Sequence, residues 1–383
     1  MIGKTLLCLD QVIVFHVSLF VSRLFARKEP DAFPKWIVGV SEIAGILQCL
    51  GRVIPSSRTV SLSKHIFYSH KYDYDIKTFG GEWVRGLYAP ALLGHLVRRA
   101  THFLYVGSDG FFRIREVELF LLRQRKKKIV FVFTGSDIRS PFLMIDKCRE
   151  SQLDHFMEYI GGKKNDFTKR DRRRKKIAEL ADRYADVVFS APVDQISYLK
   201  QKQYPFIYAF DQKGLECNEH KFDNPARIKV LHAPSNPLVK GTPLVRAAVK
   251  KLKMEGYEFD YIELRKVSND EVLRQLRDSH IVLNQFYAFM PGIFGIEAMS
   301  NGCALLTSAD PDLEPSLPDE CRGAWMVTGY WQVYDNLKEL LDCPDLIHQY
   351  ALAGLKFVRE HCSCEAAREK YDAVFRESGL YER

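Results

Sequence analysis

The sequence predicts an α/β protein built as two doubly wound domains that face each other across a cleft. Three observations carry this. The chain has 383 residues, long for one core when domains usually run to roughly 100–200 residues. From about residue 35, short apolar runs alternate with amphipathic stretches, the pattern of parallel strands covered on both faces by helices. The alternation stops over the polar, aperiodic residues 211–226 and starts again at Ile228.

In the first half, Trp36–Val40, Thr59–Leu62, His102–Val106 and Ile129–Phe133 read as strands. The last is apolar without alternation, as in a parallel strand buried on both faces. Ser41 is placed to cap a helix from Glu42 to about Arg52. Helical periodicity covers 82–99 and 114–127. The basic run 163–176, KKNDFTKRDRRRKK, is either a solvated helix face or mobile loop, or a contact for an acidic membrane or nucleic acid. Ala185–Phe189 resumes the strands and Phe206–Phe210 adds a short one.

In the second half, strands are expected at Ile228–His232, Phe259–Leu264, His280–Asn284, Ala304–Thr307 and Ala324–Val327. Helices are expected at Pro243–Met254, Asn269–Asp278, around Glu297, and throughout the tail from Trp331. Two such sheets joined by a linker form a cleft at their strand C-terminal ends, where open α/β folds bind ligands.

Composition is that of a folded globular chain, 46% apolar and 27% charged. Lysine and arginine number 56 against 48 acids, an excess that favours anionic partners such as nucleotide phosphates or acidic lipid headgroups. Nucleic acid is not expected, because no helix-turn-helix, zinc-finger or aromatic RNA-binding signature accompanies the basic run. The nine cysteines are scattered, as buried free thiols of a reducing compartment are. Residues 5–26 are strongly apolar but contain Asp10, His16 and Arg23. They are too interrupted for a membrane span and lack a cleavage site. They read either as a packed leader or as an in-plane membrane anchor with Arg23, Arg27 and Lys28 at its polar end.

Two segments carry chemistry. In Leu231-HAPSNPLVKGT-Pro243, Lys240 precedes Gly241 at the start of a helix, just after the first strand of the second domain. An ammonium beside a free helix N-terminus stabilises a phosphate, and Ser235 and Asn236 add short polar groups. In Phe289-MPGIFGIEAMSN-Gly302, Gly292 and Gly295 let backbone approach a ligand closely. Glu297 is an acid among apolar residues near the start of the next helix, able to accept two hydroxyl hydrogen bonds from a ribose diol.

At these residues the chain resembles the C-terminal domain of family 4 GT-B glycosyltransferases. HAPSNPLVKGTP is similar to that family's phosphate loop ending in Lys-Gly, and GIFGIEAMSNGCALLTS to its Glu-Ala-Met-x-x-Gly helix. In the first half, Phe133-Thr-Gly-Ser-Asp-Ile-Arg139 resembles a strand-end loop of a bacterial branch, and Tyr184–Phe189 resembles the last strand before the interdomain crossing. The resemblance covers roughly residues 35–375.

It implies two Rossmann-like domains: a leader at 1–34, an acceptor-side domain at 35–210, a linker at 211–226, a nucleotide-sugar domain at 227–360, and a helix at 361–383 crossing back to the first domain. It also implies retaining transfer from a nucleoside-diphosphate sugar to a glycan or lipid-linked acceptor, with no metal or other cofactor, in the cytoplasm or at the inner face of the plasma membrane, with peripheral contact to anionic lipid. Lys240 would neutralise the departing diphosphate, Glu297 would grip the ribose, and backbone at Gly292, Ile293, Phe294 and Gly295 would contact the donor. Asp137 would complete the catalytic set. The acceptor side would be formed by Glu42, Gly45, Ser108, Asp109, Gly135, Ser136 and Arg139, although Asp137 and Arg139 equally suit an intradomain salt bridge that shapes their loop. Two departures stand out. Ser235 and Pro234 occupy the positions of a common family arginine, which Arg139 or Arg265 would have to replace. Phe289 occupies that of a common family glutamate. A donor-binding protein without turnover is therefore the alternative.

Overall fold

The computed structural model describes residues 8–24, 35–62, 70–75, 82–159, 164–211, 217–223, 225 and 227–381. Residues 212–216, 224 and 226 of the expected linker, and the expected leader beyond 8–24, lie outside the described residues.

Six strands make the first sheet: β1 (Trp36–Val40), β2 (Ser57–Ser61), β3 (Tyr74–Asp75), β4 (His102–Val106), β5 (Lys128–Val132) and β6 (Val187–Phe189). All pair in parallel, in the order β3-β2-β1-β4-β5-β6. The helices of this half are α1 (Leu9–Leu24), α2 (Ile46–Val53), α3 (Glu82–Leu96), α4 (Arg115–Gln124), α5 (Pro141–Glu150), α6 (Phe156–Tyr159) and α7 (Lys164–Tyr184). Strand side chains alternate between the two faces. Ile37, Phe103, Tyr105, Ile129 and Phe131 bury against α1, α3, α4 and α7. Val38, Leu104, Val106, Val130 and Val132 bury with Leu47 and Leu50 of α2 on the other face.

The second sheet contains β7 (Ile228–His232), β8 (Phe259–Glu263), β9 (Ile281–Leu283), β10 (Ala304–Thr307) and β11 (Met326–Val327). Its order is β11-β10-β9-β7-β8, again all parallel. The helices here are α8 (Thr242–Met254), α9 (Asn269–Asp278), α10 (Gly292–Ser300), α11 (Val333–Asp342), α12 (Pro344–His361) and α13 (Cys364–Glu377). Leu231, Val282 and Leu305 share one continuous core with the first domain. Val230, Ile281, Leu283 and Leu306 pack on the opposite face.

The tail is helical but broken twice. Pro344 begins α12, and Ser363 caps α13 by accepting from Ala366 N at 3.2 Å. α13 crosses back to the first domain: Phe375 stacks on Trp36 at 4.8 Å and Arg368 Nε donates to Val53 O at 3.1 Å.

Two local expectations are corrected. The helix expected from Glu42 starts at Ile46, because Ala44 and Gly45 take positive φ of 52° and 81° and no helix runs through that conformation. Ser41 is no cap; its hydroxyl donates to Asp109 at 3.1 Å. Residues 206–210 form no ladder strand. Phe210 instead makes an isolated bridge to Ser363 and donates its N–H to Cys362 O at 2.8 Å, so the segment is pinned by the returning tail rather than by the first sheet.

Candidate functional site

In the second sheet β8 follows β7 on one side and β9 lies on the other. The chain therefore diverges between β7 and β9, the place where a doubly wound sheet opens a crevice. The loop after β7 builds itself from short-range bonds. Asn236 Oδ1 accepts from Leu238 N at 3.2 Å, its carbonyl accepts from Lys240 N at 3.0 Å, and Gly241 caps α8 with φ of 75°. Behind the loop, buried His232 donates Nδ1–H to Leu283 O at 2.7 Å and its Nε2 meets Thr242 Oγ1 at 2.8 Å. Burial drives its pKa down to about 4, which keeps the ring neutral and able to accept from that hydroxyl.

Lys240 Nζ donates to Gln285 Oε1, and Gln285 Nε2 donates to Met290 O at 2.5 Å. This relay ties the phosphate-type loop to the loop after β9. Burial lowers the Lys240 pKa to about 8, with Asp194 opposing the shift and Arg139 adding to it. Glu297, only 5% exposed on α10, accepts from Asn269 Nδ2 at 2.9 Å. Burial raises its pKa to about 7, against the lowering effect of that hydrogen bond.

Lys240 and Glu297 line one cavity of ≈320 Å³ together with Ser235, Gly292, Ile293 and Phe294. Ile43 and Ala44, from the loop after β1, close it from the first domain. Three other residues expected to bind donor stand behind the wall. Asn236 and Gly241 shape the turn, and Gly295 lets α10 sit close to Asn284 and Pro291, where a Cβ would meet atoms at 3.0 Å. Gly292, with φ of 68°, donates its N–H to Tyr208 OH at 3.0 Å.

The first-domain residues divide into a scaffold and a rim. Asp137 accepts from its own loop, Gly135 N at 2.7 Å and Thr134 N at 3.1 Å, and burial raises its pKa despite those bonds. Arg139 is ion-paired with Asp194 and also donates to the Asp194 carbonyl. Ser136 O accepts from Arg174 Nε at 3.0 Å. Glu42 is buried, takes the Tyr72 hydroxyl at 2.6 Å and has a raised pKa from burial. Its other oxygen, Oε1, has no partner among the described residues. Asp109 is exposed near Arg173 at 3.5 Å, Ser108 is half-exposed, and Gly45 caps α2. Of the two suggested replacement cations, Arg139 acts on Lys240 electrostatically, whereas Arg265 is engaged by Glu263 at 2.8 Å.

Sequence reasoning missed four groups. Lys266, from the loop after β8, and Asn269, at the start of α9, enter the cavity, and Gln285 orients Lys240. An interdomain clasp was also missed: Phe289 N donates to Asp194 Oδ1 at 2.9 Å, and Glu314 Oε2 accepts from Val193 N at 3.0 Å and Asp194 N at 2.6 Å. A strand-end cation at 266 was the one available signal. The Phe289 side chain packs with Met144 and Cys148.

No protein-family model and no curated protein matches the chain. Solved structures do. A sucrose-phosphate synthase from Thermosynechococcus elongatus aligns with a TM-score of 0.59 at 12% identity, over 91% of this chain and 100% of that one. A Listeria monocytogenes protein assigned as a UDP-N-acetylglucosamine 2-epimerase aligns with a TM-score of 0.50 at 13% identity, over 91% and 97%. Likeness at this identity is likeness of fold. The chain has the GT-B architecture: two parallel-sheet α/β domains across a cleft, with the last helix returning to the first.

Proposed function

We propose that this chain is a glycosyltransferase that moves a sugar from a nucleoside-diphosphate donor to a glycan or lipid-linked acceptor. The observation that carries the reading is the shared cavity of Lys240 and Glu297 at the strand ends of the second domain. The diphosphate would lie at Lys240 and the first turn of α10, whose N–H groups lack intrahelical acceptors. The ribose hydroxyls would donate to Glu297. As the bond from the sugar C1 to the diphosphate oxygen breaks, negative charge grows on the leaving group. A preplaced ammonium and helix terminus stabilise that charge most when water is excluded.

Retention and metal independence rest on the resemblance. Polysaccharide or glycoconjugate synthesis, in the cytoplasm or at the inner face of the plasma membrane, fits nine free thiols. Lys266, which lines the cavity with Lys240, is the residue best placed to supply the second cation, because Arg139 is taken up by Asp194.

Isothermal titration with a panel of nucleoside diphosphates tests the site. The expected result is binding of at least one, weakened about tenfold or more in Lys240→Ala, since a hydrogen bond to a charged group contributes about 1.5–3 kcal/mol. Absence of binding by both proteins overturns the reading. The second reading, a nucleotide-sugar or glycan-binding protein without turnover, is favoured by the buried apolar Phe289 where the family carries an acid. Binding without sugar transfer across a broad donor and acceptor panel would select it.

A further inference from the structure

α1 presents two unlike faces. Gln11, Phe15 and Leu19 are buried, and Gln11 Nε2 and Ser18 Oγ donate to the α3 carbonyls of Gly86 at 2.6 Å and Ala91 at 2.7 Å. The outer face carries Leu9, Ile13, Val17, Phe20, Val21 and Leu24, 43–65% exposed. Their spacing of three, four and one keeps them on a single stripe. Scattered exposed apolar residues need no explanation, but a continuous stripe marks a contact surface. At about 1.5 Å per residue the 16-residue helix is some 24 Å long. No described helix is long and apolar enough to cross a membrane.

Cations gather beside the C-terminal half of α1. Arg125 lies over the Phe15 ring at 4.9 Å and close enough to Arg23 for their repulsion to lower its pKa, burial being the larger cause. Lys127 is lowered in turn by burial and Arg125. None of the three forms an ion pair with an acid among the described residues. Asp10, at the opposite end, is neutralised by Arg113. On the same face of the first sheet, α7 exposes Arg172 and Lys176, while its Arg173 pairs with Asp109. A stripe of apolar side chains rimmed by unneutralised cations matches a lipid surface bearing anionic headgroups. A second copy fits less well. One helix stripe offers a few hundred Å² at most, well short of the roughly 800 Å² per partner of a stable dimer.

We infer that α1 lies flat on an anionic membrane surface, with the stripe among the acyl chains and Arg23, Arg125 and Lys127 at the phosphates. The first turn of α1 is tied to the loop after β4, where Arg113 N donates to Gln11 Oε1 at 2.9 Å. That loop opens with Ser108 and Asp109 at the cleft rim. Docking therefore brings the acceptor side of the cleft to the lipid and, on the reading proposed above, selects a membrane-borne acceptor.

Vesicle co-sedimentation of the full chain tests this without using transfer activity. The probes are vesicles of phosphatidylcholine alone and with 30% phosphatidylglycerol. The expected result is strong binding to the anionic vesicles, at least tenfold weaker binding to the neutral ones, and a further tenfold loss in Phe20→Glu/Leu24→Glu. Arg23→Glu/Lys127→Glu should lose the anionic preference. Both double variants should melt and bind nucleoside diphosphate as the parent does, so failure of docking and failure of the donor site read separately. Equal sedimentation of parent and Phe20→Glu/Leu24→Glu, or no binding by the parent, overturns the proposal. So does a parent dimer that this variant converts to monomer.

Discussion

The side-chain amide of Asn269 donates to Oε1 of Glu297 across 2.9 Å, a bond that ties the first residue of α9 to α10. It favours the ionised acid against a burial penalty that raises its pKa to about 7. Asn269→Ala removes that support, so the pKa should climb further. Affinity for a nucleoside-diphosphate sugar should fall several-fold below the parent's at pH 7, and that deficit should shrink at pH 8, as read by calorimetry on both proteins at the two pH values.

Donor binding should be greatest between pH 7 and 8. The bound state proposed here needs an ionised Glu297, with a pKa of about 7, and a protonated Lys240, with a pKa of about 8. Affinity should fall towards tenfold per pH unit on either side. A nucleotide sugar is the right ligand, because its diphosphate diester does not titrate there. Glu297→Gln should abolish the acid limb and Lys240→Ala the alkaline limb.

The same two groups shape the stability of the free protein. Glu297 holds its proton more tightly folded than unfolded, so its contribution declines as pH rises from about 4.5 to 7. Lys240 holds its proton less tightly folded, so its contribution increases as pH rises from about 8 to 10.5. Glu297→Gln should accordingly raise the melting temperature at pH 7.5 and leave it nearly unchanged at pH 4.5, a comparison made by calorimetry.

Asp137 should prove a loop builder. Its carboxylate satisfies two backbone N–H groups, and stranding them in Asp137→Ala should cost about 1–3 kcal/mol each if they stay dry. The urea midpoint should drop, whereas Asp137→Asn, which keeps one acceptor oxygen, should retain nucleotide binding within a few-fold.

Glu314 spans the cleft by accepting Val193 N and Asp194 N. Glu314→Ala should let the domains part, raising the radius of gyration in small-angle scattering and speeding proteolysis near residue 193. Saturating donor should reverse part of that change.

The strands were legible because runs such as Phe103–Val106 and Ala304–Thr307 are apolar without alternation, and the Lys240 and Glu297 loops because glycine, proline and a charge cluster at a strand end. The rest depended on tertiary contacts. The two-residue β3 is too short to carry a period. The late start of α2 depends on positive φ at Ala44, which no side chain announces. Asn269 and Gln285 lie 28 and 45 residues from the groups they touch, and nothing local in either segment marks such a partner. The C-terminal return was anticipated from resemblance, and its anchor, Phe375 on Trp36, from neither composition nor period.

The isolated bridge between Phe210 and Ser363 sets how this molecule can breathe. The chain passes between domains in both directions there, and the outward and return passages are stitched side by side, so they cannot slide independently. A swing of one lobe on the other would pivot near this stitch, with residues 364–381 riding on the first lobe. Travel would then be smallest at the stitch and greatest at the mouth of the cleft.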